Sequence, residues 1–295
     1  MKKPLLLLLT VTLLLGACGG KDDPPSSNTP APKARDGVYY SQYGTMTFNG
    51  DGRSVTLRVN GLPEGEGSYV YLFHNEEWRY DQAEKFRLMI GDQSYQFFVT
   101  PGENTEDVVA FEVSQGGDVI RFTKADFTPT HIVTVTVRDY GTMTLELYGK
   151  IAPVTVENFV TLARSGFYDG LTFHRIMDGF MIQGGDPAGN GTGGSNTRIK
   201  GEFYANGVSN PIEHTLGTIS MARESGNMNS ARSQFFIMVA DSPLLDGQYA
   251  AFGRVTSGIE VALQIAKDAR PTDNNGTIPR DQQPVIEKIT VEDAK

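Results

Sequence analysis

The sequence predicts a mainly β protein, with two folded parts behind an export signal. Three observations carry that expectation. Period-two alternation of apolar and polar residues dominates beyond residue 36. Glycine is frequent, at 33 of 295 residues, and clusters with Asn and Asp in turn-forming runs. Only two stretches, 153–163 and about 259–267, replace the alternation with helical spacing.

The N-terminus reads as an address. Met1-Lys2-Lys3 is basic, and the Leu-rich run 5–15 is too short to span a bilayer as a helix. It has the length of a signal-peptide core, so 1–17 is expected to be removed. Leu15-Gly16-Ala17-Cys18 resembles the bacterial lipobox, where cleavage before the cysteine frees it for diacylglyceryl attachment. That resemblance implies Cys18 as the lipidation site and a lipid-anchored, extracytoplasmic place in a bacterial cell envelope. Each buried acyl methylene would contribute roughly 0.8 kcal/mol to anchoring. Residues 18–35 then form a Pro/Ser-rich tether without apolar periodicity. Within it, Lys21-Asp22-Asp23 reads either as a surface-export signal of some Gram-negative lipoproteins or as a solvated linker.

Composition excludes several classes. The chain is 39% hydrophobic, which suits packed cores rather than disorder. Its net charge is -9, and no basic cluster is present to hold phosphates, so nucleic acid is not an expected partner. Cys18 is the sole cysteine, which rules out an intrachain disulfide and a thiolate metal site. The four histidines, His74, His131, His174 and His214, are dispersed. No metal or cofactor is expected.

Residues 36–128 read as a small antiparallel β domain of unknown function, a meander forming a curled sheet or small barrel. Val55, Leu57 and Val59 share one strand face, and Tyr69, Tyr71 and Phe73 another. Runs such as Asn49-Gly50-Asp51-Gly52 mark turns. Over half of the chain's aromatic residues lie here. They suit a small core that needs bulky residues, or a peptide-binding surface. His74 and Trp78, near Glu76-Glu77, suggest either a site or an ordinary loop. Tyr43-Gly44-Thr45-Met46-Thr47 recurs as Tyr140-Gly141-Thr142-Met143-Thr144, too short an echo for a structural repeat. It reads as one turn-into-strand solution used twice.

Residues 129–295 carry the chemistry. Val133, Val135 and Val137, a turn at 138–141, then Met143, Leu145 and Leu147 predict a hairpin. Val156, Phe159, Val160 and Ala163 predict a helix ending near Gly166. A second helix takes Val261, Leu263 and Ile265 as apolar positions. Between the helices, Phe173-His174-Arg175-Ile176-Met177-Asp178-Gly179-Phe180-Met181-Ile182-Gln183 reads as strand, turn and strand. In extended chain Phe173 and Arg175 share a face, as do Met181 and Gln183. Ser233-Gln234-Phe235-Phe236-Ile237-Met238 adds a strand with Gln234, Phe236 and Met238 on one side.

These stretches resemble the cyclophilin family, and the match extends over nearly all of 130–295. It includes Glu157-Asn158-Phe159, Gly166-Phe167-Tyr168-Asp169-Gly170, Leu216-Gly217-Thr218-Ile219-Ser220-Met221-Ala222 and Phe252-Gly253-Arg254-Val255. The resemblance implies a closed antiparallel barrel of about eight strands capped by two helices. It implies a peptidyl-prolyl cis-trans isomerase assisting the folding of extracytoplasmic proteins. Arg175 matches the catalytic arginine. Phe180, Met181, Phe236 and Leu245 match the proline pocket. Gln183, Ala222, Arg223 and Gln234 match the groove that holds the peptide backbone. Leu244 stands where many members carry Trp, and Tyr249 where many carry His, both on the rim. The expected partners are proline-containing peptides and unfolded extracytoplasmic proteins, met by a monomer.

Two decoys lie nearby. Gly189, Gly191 and Gly194 spell a dinucleotide-type glycine pattern, but Pro187 precedes it and no helical pattern follows, so it reads as a loop. Asn190-Gly191-Thr192 and Asn275-Gly276-Thr277 are formal glycosylation sequons with no reason for use in a bacterial lipoprotein. The rival readings are a barrel that holds peptides without turnover, and a scaffold or adhesin working through 36–128.

Overall fold

The computed structural model describes residues 36–50, 54–59, 65–72, 84–101, 107–112 and 119–295. The expected signal segment, Cys18 and the expected tether to residue 35 lie outside the described residues, as do Phe73, His74 and Trp78. Two compact units meet at Lys124/Ala125. Residues 125–128 thus go with the second unit, four residues before the sequence reading began it; there Phe127 packs edge-on against Tyr148 at 5.3 Å.

The first unit is a meander. Strands β1 (Asp36–Ser41), β2 (Gly44–Asn49), β3 (Ser54–Val59), β4 (Gly65–Leu72), β5 (Glu84–Ile90), β6 (Gln93–Pro101), β7 (Asp107–Glu112) and β8 (Val119–Phe122) pair antiparallel in chain order. Tyr40 and Thr123 exchange both main-chain hydrogen bonds, at 2.7 and 2.8 Å, and join the end of β8 to β1. The sheet therefore closes on itself, which removes its free edges. Tyr39, Phe48, Phe86, Phe97, Phe111 and Phe122 are buried inside, with Phe86 stacked on Phe97 at 4.8 Å. Of the two readings of the aromatics, these six are core.

The second unit contains β9 (His131–Val137), β10 (Gly141–Leu147), α1 (Pro153–Arg164), β11 (Phe173–Met177), β12 (Met181–Gly184), β13 (Thr218–Met221), β14 (Phe235–Met238), β15 (Ala251–Ser257), α2 (Ile259–Asp268) and β16 (Ile286–Asp293). The strands pair antiparallel in the order β11-β12-β14-β13-β15-β10-β9-β16. Main-chain bonds between 170–173 and 284–286 return β11 to β16 and complete the ring. The inward alternation of Val133, Val135, Val137, Met143, Leu145 and Leu147 fills it, under Phe159 of α1 and Ile265 of α2.

The Tyr-Gly-Thr-Met-Thr echo is the same local device in both units. Gly44 opens β2 and Gly141 opens β10, each at positive φ, and Met46 and Met143 are fully buried. A Cβ on Gly44 would lie 2.0 Å from the Arg58 carbonyl oxygen, so no other residue fits there.

α1 begins with Pro153 and has no local capping side chain. Glu202, 47 positions beyond Thr155, supplies the cap instead. Its carboxylate accepts from Val154 N at 3.1 Å, Thr155 N at 2.8 Å and Thr155 Oγ1 at 2.7 Å. These groups are the unpaired donors of the first helical turn. Glu202→Ala strips all three and leaves buried donors, so unfolding free energy in denaturant should fall by about 1–3 kcal/mol. A loss within measurement error would remove Glu202 as the cap.

Two expectations fail locally. In α2 the buried positions are Val261, Ala262, Ile265 and Ala266, while Leu263 is exposed. Residues two apart on a helix point to different sides, so Val261 and Leu263 cannot both face the core. In β11, Phe173 does not share a face with Arg175. The register shifts between them: Phe173 pairs with Gly184 and Arg175 with Gln183. This bulge holds one extra residue, His174, and reverses the alternation. Phe173 enters the barrel core, while Arg175 emerges beside Met177, Met181 and Gln183.

Candidate active site

The outer face of β11, β12 and β14 presents what the barrel interior does not use. Met181, Phe236 and Met238 are buried there, with Met177, Phe180, Ala222, Leu245 and Tyr249 packed around them. Of these, Phe180, Met181, Ala222, Phe236, Leu245 and Tyr249 line a cavity of about 180 Å³, whose polar residues are Arg175, Gln183 and Arg223. Nine of the residues expected at the site therefore line one cavity.

Arg175 is held from two sides. Its Nε donates to the Asn275 carbonyl oxygen at 2.7 Å, and Nη1 donates to Gln183 Oε1 at 3.1 Å. The other close neighbours are thioether sulfurs, Met181 Sδ at 3.8 Å from Nη1 and Met177 Sδ at 3.3 Å from Nη2. Sulfur is a weak acceptor, so these N–H groups are available to a better one. Burial pulls the guanidinium pKa below its ordinary value, against the opposing effect of Tyr249 and Asp273.

A relay orders the groove beside it. Gln183 Nε2 donates to Gln234 Oε1 at 2.9 Å, and Gln234 Nε2 donates to the Gly193 and Gly191 carbonyls at 2.7 and 3.1 Å. The glycine-rich run is a loop, with no helix after it. Asp186, almost fully buried, ties it down by accepting from the main-chain N–H of Ala188, Asn190 and Gly191 at 2.7–3.0 Å.

The residues expected to form the proline pocket are braced by neighbouring rings. The His214 ring lies nearly parallel to Phe236 at 6.0 Å, and Tyr249 meets Phe236 edge-on at 5.8 Å. His214 is fixed by Asp246 Oδ1 at 2.9 Å from Nδ1 and Ser220 Oγ at 3.1 Å from Nε2. Arg223 places its guanidinium over Tyr249 at 4.7 Å and Phe203 at 5.4 Å. Leu244 sits apart: it is 90% exposed and does not line the cavity. The 3-10 turn Pro243–Leu245 carries Leu245 inward and Leu244 to solvent.

Sequence reasoning missed Asn275, Asp273, Asp186, His214 and Asp246. Asn275 was read only as a sequon, yet its carbonyl holds Arg175. Asp273 staples that loop, accepting from Asn275 N, Thr277 N and Thr277 Oγ1 at 2.8–3.0 Å. The turn-forming run Asp273-Asn274-Asn275-Gly276 was the available signal.

The model of the family "Cyclophilin type peptidyl-prolyl cis-trans isomerase/CLD" matches residues 132–295, more than half of the chain. The chain belongs to that family. The chain is similar to peptidyl-prolyl cis-trans isomerase ppi1 of Schizosaccharomyces pombe, 48% identical over 126 residues, covering 42% of the chain and 79% of that relative. A peptidyl-prolyl cis-trans isomerase of Helicobacter pylori is 50% identical over 123 residues, covering 42% of the chain and 72% of the relative. A crystal structure of a Cryptosporidium parvum cyclophilin type isomerase, solved in the presence of the dipeptide ala-pro, covers 55% of the chain and 98% of its own. Its sequence identity is 31% and its TM-score 0.48. The cyclophilin-type chain is thus an isomerase of peptidyl-prolyl bonds, on a mainly β fold.

Buried groups of this site set an acid limit on its stability. Burial lowers His174 below its ordinary 6.5, against the opposing charge of Asp186. For Asp186, burial alone would raise the pKa, but backbone hydrogen bonds from Ala188, Asn190, Gly191 and Gly193 outweigh it and hold the group below 3.8. In both cases the unfolded chain takes up its proton at higher pH than the folded one, so stability falls as pH falls. The His174 contribution fades below about pH 6.5, and the Asp186 contribution below about pH 4. Urea unfolding across this range should show both declines, and the lower one should shrink in Asp186→Asn. An unaltered acid profile in that variant would count against the assignment.

Proposed function

We propose that the chain is a lipid-anchored, extracytoplasmic isomerase in which the Arg175 guanidinium stabilises the twisted state of an X-Pro bond. The single observation that carries the catalytic part of this reading is the placement of Arg175. It is fixed by Asn275 and Gln183 in a cavity it shares with Phe180, Met181, Phe236, Leu245 and Tyr249, with its remaining N–H groups facing only sulfur.

The chemistry follows from the amide. Resonance makes the C–N bond resist rotation by about 18–20 kcal/mol. Uncatalysed exchange at X-Pro takes tens to hundreds of seconds. A thousandfold acceleration requires about 4 kcal/mol. In the twisted state the prolyl nitrogen loses conjugation, and its lone pair becomes a hydrogen-bond acceptor. A donor aimed at that nitrogen binds the twisted state better than the planar one. One preorganised donor in a water-poor site contributes about 3–4 kcal/mol. Arg remains protonated throughout, so no proton need move. Phe236, Met181, Phe180 and Leu245 grip the ring, while Gln183, Gln234, Ala222 and Arg223 hold the flanking backbone as the other side of the bond turns.

The substrates in this reading are proline-containing peptides and unfolded extracytoplasmic proteins. The enzyme is a monomer and needs no cofactor. The full chain should accelerate cis-trans exchange of a prolyl peptide; binding without turnover would return it to a peptide-holding role. The anchor has its own test. Serine's hydroxyl cannot replace the thiol as lipid acceptor, so Cys18→Ser should move the protein from the membrane to the soluble fraction. Membrane retention of that variant, with no acyl mass on the wild type, would sink the lipoprotein reading.

A further inference from the structure

A second cavity, of about 190 Å³, adjoins the first and shares Gln183, Ala222 and Arg223 with it. Its chemistry differs. The first is walled by Met and aromatic side chains; the second is walled by Thr192, Gly193, Ser230 and charged groups.

The charges there are unbalanced. Glu224 is the one carboxylate lining the second cavity, and its Oε1 already accepts from Arg198 Nη2 at 2.7 Å. Two guanidinium groups line the same space without meeting a carboxylate among the described residues. Arg223 donates Nε to the Gln248 carbonyl at 3.1 Å and Nη1 to the Glu224 carbonyl at 3.4 Å, which leaves Nη2 with no hydrogen bond. Arg232 has a single long bond, Nη1 to the Ser195 carbonyl at 3.5 Å, and its Nε is buried without any acceptor. A buried charged donor without a partner is costly, and a planar guanidinium fork is matched by a carboxylate. With Arg175 beside them, these groups make a cationic groove on a chain of net charge -9. Such a local contrast concentrates anionic segments at the groove.

We propose that the second cavity takes a carboxylate side chain of the substrate, and that this isomerase prefers prolyl segments with Asp or Glu a few residues from the proline. The inference rests on reading the first cavity as the proline pocket and names the substrate class of that site.

The test uses the full chain and short prolyl peptides that carry Glu, Gln or Lys at each position near the proline. At one position Glu should be turned over with about tenfold higher kcat/KM than Gln, the scale of one charge-assisted hydrogen bond. Lys should rank below Gln there. The Glu-to-Gln ratio should shrink as salt is raised, since a groove open to solvent is screened. In Arg232→Gln the ratio should fall towards one, and in Arg232→Lys, which keeps the charge, most of it should persist. Because each ratio is taken within one variant, a partly unfolded preparation does not alter it. Turnover indifferent to charge at every position, or a ratio unchanged in Arg232→Gln and in Arg223→Gln, overturns the inference and leaves the isomerase standing. Turnover of no peptide at all overturns the reading of the first cavity and the inference together.

Discussion

Arg175→Ala should lower kcat on a prolyl peptide by a hundredfold or more, about 3–4 kcal/mol of lost transition-state stabilisation, and leave peptide affinity nearly unchanged. The asymmetry comes from geometry. The planar ground state offers the guanidinium no nitrogen lone pair, so Arg175 contributes little to binding. In the proposed mechanism the ring is gripped instead by the cluster of Phe236, Met181 and Leu245, which the substitution leaves in place. A drop in kcat and kcat/KM together is the signature of an interaction made only in the transition state. Single-turnover exchange kinetics and a separate peptide titration would measure the two quantities. Arg175→Lys should recover little, because an ammonium cannot bond Asn275 and Gln183 at once while still aiming a donor into the cavity. Unchanged turnover in a folded Arg175→Ala protein would remove the residue from the mechanism.

The aim of that guanidinium depends on a feature that alternation alone does not reveal. Counting faces from Phe173 puts Arg175 on the same side as a residue that is in the barrel core. The bulge at His174 reverses the count. Nothing in the composition of Phe-His-Arg-Ile-Met announces a bulge, because bulges are set by pairing with a partner strand, here β12. The ordered motif blocks nevertheless picked out Arg175, Gln183 and Phe236, since side-chain type and order carry that information. Regular alternation did place Val133 to Val137 and Met143 to Leu147 inside the barrel. Here the partner strands are in register and one face is fully enclosed.

Apart from the local turns tied by Asp186 and Asp273, what stayed illegible comes from interactions between distant parts of the chain. Glu202 caps a helix 47 positions away, Asn275 grips Arg175 across 100, and Asp246 orients His214 across 32. Each is a polar group on a loop, chosen by where the barrel brings that loop. No local period predicts it. Leu244 is the opposite case. Its match to a family position that often holds Trp marked it as a rim residue, and a single 3-10 turn leaves it exposed while Leu245 turns inward.

Phe236→Ala should show the reverse pattern from Arg175→Ala: peptide binding weakens by more than tenfold, while turnover of the peptide that does bind falls less. The ring is 5% exposed and packs against both His214 and Tyr249, in one cluster with Met181 and Met238. Its removal opens the wall that excludes water from the prolyl ring, and it leaves a cavity that the braced neighbours cannot fill. His214 is held at both ring nitrogens and cannot collapse into the gap. Stability should therefore fall as well, by about 3–5 kcal/mol for loss of a buried aromatic ring. The two effects separate in Phe236→Leu. A similar apolar volume should return most of the stability, with a residual loss of about 1.5 kcal/mol or less. It should return only part of the binding, because a branched aliphatic chain lacks the flat face that meets the pyrrolidine ring. Denaturant unfolding and peptide titration on the same preparations would measure both. If Phe236→Ala remains folded and binds a prolyl peptide as tightly as the wild type, the ring is not the wall of the proline pocket.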